Sequence, residues 1–98
     1  MYRVKILTIR PSAEVKFFPG SDLTKQHMQT MKDQGKLVED VWELSEDGLT
    51  RTYTATWSSK EDYLAFTDIE ELAEERWNRK RYNTANNIVM RLEEAVEV

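Results

Sequence analysis

Residues 49–66, LTRTYTATWSSKEDYLAF, constrain this chain more than any other stretch. Leu49, Arg51, Tyr53, Ala55 and Trp57 alternate with Thr50, Thr52, Thr54 and Thr56. Strict period-2 alternation rich in Thr and aromatics is what a pleated strand favours. Ser58 and Ser59 stop it. Ser58 with Glu61 fits a capping box, and Ser59 with Asp62 offers the same geometry one residue later. A strand therefore runs almost directly into a helix, with Trp57 at the seam between sheet and helix layer. Periodicity does not say which strand face meets the helices.

The rest of the chain arranges itself around that unit. Residues 2–10 form a first strand with Val4 and Ile6 on one face and Leu7 and Ile9 on the other, the pattern of a sheet covered on both sides. Residues 10–21 form a loop holding both prolines, Pro11 and Pro19. Its Phe17-Phe18 pair reads as a short extra strand, an aromatic tuck onto the core, or a lid. Ser21 or Asp22 caps a first helix that runs to about Gln34 and closes at Gly35. Its apolar stripe carries Leu23, His27 and Met31. Residues 37–44 form a second strand, joined to the third by a hairpin turn at Glu46-Asp47-Gly48. Beyond Phe66, Thr67 with Glu70 or Asp68 with Glu71 signals a further cap, and a second helical piece spans residues 69–82. Ile69, Leu72, Ala73, Arg76 and Trp77 share its inward face. Asn83, Asn86 and Asn87 mark its exit, and residues 88–98 form a fourth strand.

The order β-α-β-β-α-β is the ferredoxin-like, α+β arrangement: a four-stranded antiparallel sheet with helices on one face. The expectation is a single domain over residues 1–98. The apolar character of Val4, Ile6, Leu7, Ile9, Val89, Leu92 and Val96 asks for a cover on the other face. A second copy of the chain, sheet to sheet in a homodimer, is the simplest one.

Composition narrows the function classes. With 33% charged and 40% apolar residues and a net charge of −4, the chain reads as globular and mildly acidic. That argues against nucleic acid and anionic membrane as partners. RNA-recognition modules share the element order, but they carry glycine and basic residues in a third strand that here reads RTYTATW. There is no cysteine, which removes disulfides, thiol nucleophiles and thiolate-ligated metal and is compatible with a cytoplasmic protein. The start, Tyr2-Arg3-Val4-Lys5-Ile6, reads as a strand and not as a leader, and no run is long and apolar enough to span a bilayer. A single histidine is poor material for zinc, so no metal is expected. The three glycines are scattered at turns and form no phosphate loop.

In element order over nearly its whole length, the chain resembles the dimeric α/β-barrel superfamily, in particular its antibiotic-biosynthesis-monooxygenase-like domains. The local carrier is Thr56-Trp57 followed by Ser58-Ser59-Lys60-Glu61-Asp62-Tyr63-Leu64-Ala65-Phe66, similar to that family's strand-Trp and its Ser, acidic and aromatic helix start. The resemblance implies a homodimer of packed sheets and, in each subunit, a pocket between sheet and helices. It implies a cofactor-independent monooxygenase or isomerase, or else a non-catalytic ligand-binding or sensing domain. The haem-degrading branch has a Trp where this chain has Phe66, and a haem-ligating His near Arg76 or Trp77; both are missing here. The family's strand glutamate is Ala55 here.

His27 is the one side chain that titrates near neutrality, which makes it the candidate catalytic base, although a histidine on an apolar stripe also serves as a core or boundary residue. Tyr53 and Trp57 on one strand face are core aromatics by default, and with Phe66 and Trp77 they are the candidate apolar walls of a pocket. Arg76 either snorkels past the core edge or clamps an anion. The expected ligand is mostly apolar with one anionic or carbonyl group.

Overall fold

A computed structural model describes residues 1–98. Four strands form one antiparallel sheet: β1 (Tyr2–Ile9), β2 (Leu37–Leu44), β3 (Thr50–Trp57) and β4 (Val89–Glu97), in the order β2-β3-β1-β4. Helices α1 (Asp22–Asp33), α2 (Lys60–Thr67) and α3 (Ala73–Ala85) cover one face, with a 3-10 turn at Glu70–Leu72 between the last two. This is the ferredoxin-like α+β arrangement that the element order predicts. No helix is long and apolar enough to cross a membrane.

Local chemistry explains the boundaries. Ser21 caps α1 by accepting from the Thr24 amide at 3.2 Å. Its own amide and hydroxyl donate to the Glu75 carboxylate at 2.7 and 2.9 Å, which ties the start of α1 to α3. An anion at a helix N-terminus is stabilising in its own right. The other end of α1 closes through Gly35 at φ 72°, with Lys36 N–H donating to the Met31 carbonyl; a left-handed residue is what that closure requires. Of the two caps expected for α2, Ser59 is the one used, accepting from the Asp62 amide. The cap expected at Thr67 or Asp68 does not form. Thr67 Oγ1 donates back to Leu64, and the chain enters α3 through the 3-10 turn without a side-chain cap.

That turn matters for the inward face of α3. Three residues per turn break the phase of an α-helical stripe, so Ile69 does not share a ridge with Trp77. The inward ridge instead runs through Leu72, Arg79 and Asn83, and Trp77 stands outside at 63% exposure. Asn83 lies within α3, which continues to Ala85. The chain leaves the helix at Asn87, with φ 56°.

The faces of β3 divide as the alternation predicts. Arg51, Tyr53, Ala55 and Trp57 face the helices opposite Thr8, Ile6, Val4 and Tyr2, and the threonine row faces away. A bulge in β4 shifts its pairing: Lys5 pairs with Glu94 but Ile6 with Leu92. Glu93 is the extra residue, and it flips the parity of the strand. Met90, Leu92 and Ala95 therefore share the helix side, while Val89 and Val96 face the open side. Of the apolar residues expected to give the sheet two apolar faces, Val4, Ile6 and Leu92 lie on the helix side and Leu7, Ile9, Val89 and Val96 on the open one.

The core occupies one end of the helix–sheet space. Tyr2, Val4, Leu37, Ala55 and Trp57 are buried there, with Met28, Met31, Tyr63 and Phe66 packed on them. Trp57 is 2% exposed, its ring 5.3 Å from Phe66 and 5.9 Å from Tyr63.

Candidate functional site

The opposite end of that space is built from polar residues. Its floor is the row Arg51 (β3), Thr8 (β1) and Met90 (β4), side by side through the sheet register. Its roof is α3. Between α3 and the start of β4 lies an open depression of about 400 Å³ lined by Arg76, Arg79, Lys80, Asn83, Thr84, Ile88 and Met90. A shallower one of about 240 Å³ adjoins it along the outside of α3, lined by Ala73, Arg76, Trp77 and Lys80. Arg76 and Lys80 border both.

A stack of alternating cations and rings closes the β3 side. The Arg51 guanidinium lies between two rings, 4.6 Å from the centre of Phe17 and 4.8 Å from that of Trp42. Arg10 sits over Phe17 at 4.5 Å, and Trp42 packs on Tyr53 at 4.2 Å. Such contacts hold a guanidinium in place without neutralising it. Residues 10–21 supply Phe17 without forming a strand. Tyr82 holds this loop: its hydroxyl donates to the Lys16 carbonyl at 2.5 Å and its ring meets Phe18 at 5.5 Å. Arg10 donates to the Val15 and Gly48 carbonyls, fixing the loop from the sheet side. The Phe17-Phe18 pair is thus an aromatic tuck, bridging sheet and α3.

The electrostatics of this end are one-sided. None of the protein's ion pairs includes Arg51, Arg76, Arg79 or Lys80. Burial pulls Arg51 below its ordinary pKa, and the positive charge of Arg79 pushes the same way. Burial lowers Arg79 too; Glu75 opposes this and Arg76 adds to it. Glu75 is already committed to Ser21 and Thr24. Arginine keeps its proton under such pressure, so the strain appears as an energetic cost of the charge.

The residues singled out in the sequence are dispersed. Trp57 and Phe66 belong to the packed core. Tyr53 sits at the border, its hydroxyl donating to Asp40 Oδ2 at 3.0 Å while Lys32 holds the other oxygen at 3.0 Å. His27 lies on α1, with Nε2 3.4 Å from Glu71 Oε2, between helices and away from the depression. Arg76 is at the depression, and Trp77 lies on its outer flank. Arg79, Asn83, Arg51 and Phe17 complete the polar end. Arg51 shares the alternating face of Tyr53 and Trp57, so its inward position was readable. Arg79 was not readable, because a basic residue late in a helix also suits the helix dipole. No group of His, Asp or Glu is placed to hold a metal ion.

No family model and no curated protein matches this sequence.

Proposed function

We propose that this protein is a small-molecule-binding dimeric α/β barrel of the antibiotic-biosynthesis-monooxygenase-like kind, and that its ligand is a mostly apolar organic acid held in the depression between α3 and β4. The observation that carries this reading is the set of unpaired cations, Arg51, Arg76, Arg79 and Lys80, gathered at one end of an acidic chain. Partly desolvated charges without partners are costly. A carboxylate removes that cost, and guanidinium is the group best suited to bind one. Ile88 and Met90 supply apolar wall. No carboxylate or histidine lines the depression, so the site has an anchor and no general base, as suits binding more than turnover.

The test compares phenylacetate and its methyl ester by titration calorimetry. The acid binds and the ester does not. Arg79→Met weakens the acid by about 2 kcal/mol or more, roughly thirtyfold. Equal binding of acid and ester would sink the anion-anchor reading. The dimer forms through the open sheet face, where Leu7, Ile9, Val89 and Val96 lie beside the threonine row. Sedimentation at micromolar concentration checks it, and a monomer there would remove the barrel.

A catalytic reading, as a cofactor-independent monooxygenase or isomerase, draws on one contact. Glu71 beside His27 can set the tautomer of the chain's one histidine. On that reading His27→Ala abolishes turnover; on the binding reading it leaves affinity for the acid intact.

A further inference from the structure

The depression between α3 and β4 carries more positive charge than one carboxylate can match. Among its lining residues Arg76, Arg79 and Lys80 are cations and none is acidic. All three fall within about one turn of α3, at i, i+3 and i+4. Side chains at those spacings are adjacent on a helix surface, and like charges there destabilise the helix. Burial lowers the Arg79 pKa most, and the charge of Arg76 lowers it further against the opposing pull of Glu75. For folding alone, this grouping is a burden.

No side chain of the protein relieves it. None of the three cations forms an ion pair. Glu75 is held by Ser21 and Thr24. Lys80 has only the Trp77 ring, at 5.8 Å, near the limit of a cation–π contact. The sealed polar atoms without partners are Arg51 Nε and Asn83 Oδ1, so the nitrogens of Arg76, Arg79 and Lys80 stay open to the depression.

The count of charges separates the candidate anions. A carboxylate brings one charge and two oxygens. It occupies one guanidinium in a bidentate pair and leaves two cations repelling each other. A phosphate monoester brings nearly two charges and three acceptor oxygens. Arginine binds it through the same bidentate fork, and lysine binds it as a point charge. The cations are gathered at one place on the helix and not spread along the cleft, which suits one compact dianion better than two separate carboxylates.

We infer that Arg76, Arg79 and Lys80 together bind one phosphoryl group, so that the ligand of this depression is an organic phosphate monoester with its organic body against Ile88 and Met90. Thr84, one turn beyond Lys80, adds a hydroxyl donor at the same site. This rests on the organic-acid reading above and narrows the acid to a phosphate ester.

Titration calorimetry on the intact protein at about pH 8, where a phosphate monoester is doubly charged, tests this. Benzyl phosphate binds at least roughly tenfold more tightly than phenylacetate. Methyl benzyl phosphate, which keeps the phosphoryl group but only one charge, loses that advantage. Phenylmalonate, with two charges on two carboxylates, does not gain it. Arg76→Met and Lys80→Met each shrink the preference, and the double variant brings it below about twofold while phenylacetate, held by Arg79, loses little; thermal melts show that the variants fold. Phenylacetate binding as tightly as benzyl phosphate overturns this inference and leaves the organic-acid reading standing. Phenylmalonate or the diester matching benzyl phosphate overturns it as well, as does a preference that survives the double substitution. If neither phenylacetate nor benzyl phosphate binds, both readings fall.

Discussion

The two ends of the helix–sheet space contrast sharply. At the end where β3 runs into α2, Tyr2, Val4, Leu37, Ala55 and Trp57 are closed over by methionines and aromatics. At the end where β3 begins, the same sheet face carries Arg51 and Thr8, and the helix above carries Arg79 and Asn83. One strand serves both: its inward residues change from Trp57 and Ala55 to Tyr53 and then Arg51 within a single alternation. Folding energy is concentrated at the first end. The second holds unpaired charge and an unmatched amide, which stability alone would not select. On the proposed reading, this division separates a rigid core from a ligand site.

The largest expected effect breaks the packed end. Trp57→Ala removes a side chain that is 2% exposed and touches both Phe66 and Tyr63. A loss of about 3–5 kcal/mol of unfolding free energy is expected from urea titration. A much smaller loss would mean that the core does not rest on the seam.

The border between the two ends should respond to alkali. Burial first, then the charge and hydrogen bond of Asp40, push the Tyr53 phenol well above its ordinary value. In the unfolded chain a tyrosine ionises near pH 10. The folded form holds the proton longer, so this contribution is intact below about pH 10 and is lost as pH rises beyond it, at up to about 1.4 kcal/mol per pH unit. Burial and then Tyr2 raise Tyr63 in the same sense. Denaturation midpoints measured between pH 9 and 11 should fall for the unsubstituted protein and fall less steeply for Tyr53→Phe.

A smaller effect is expected where α1 is fastened to α3. Ser21 both caps α1 and donates to Glu75. Ser21→Ala should cost about 1 kcal/mol by thermal or urea unfolding. An unchanged midpoint would show that the Glu75 contact through the backbone amide suffices.

The packed end was legible in the sequence and the polar end only at Arg51 and Arg76, for physical reasons. Alternation in residues 49–57 reports burial directly, because apolar and aromatic side chains recur at the strand period. It assigned Trp57 to the seam, and the serines after it limited the cap to two residues, of which Ser59 is used. The β4 bulge at Glu93 left no such trace. A bulge is a property of pairing between strands: plain alternation puts Met90, Leu92 and Val96 on one face and Val89 and Ala95 on the other, whereas the pairing moves Ala95 to the side of Met90 and Leu92 and Val96 to that of Val89. The 3-10 turn before α3 hid the true ridge in the same way. Asn83 looked like an exit marker among three nearby asparagines, and only Asn87 takes the left-handed conformation that ends a helix. Polar residues on an inward ridge read as surface until the ridge itself is known.

The smallest expected change in stability is the one that separates the two ends most cleanly. Arg79 forms no ion pair, and burial works against its charge. Were it structural, Arg79→Met would cost what a broken buried pair costs, several kcal/mol. If it is held for a ligand, the methionine keeps the aliphatic stem that packs in the depression and removes a charge that the free protein pays to desolvate. The urea midpoint of the ligand-free protein should then be unchanged or slightly raised. Phenylacetate should stabilise the unsubstituted protein by mass action and leave the variant where it was. A variant that is markedly less stable without ligand would place Arg79 with Trp57 among the residues that build the fold, and the depression would lose its anchor.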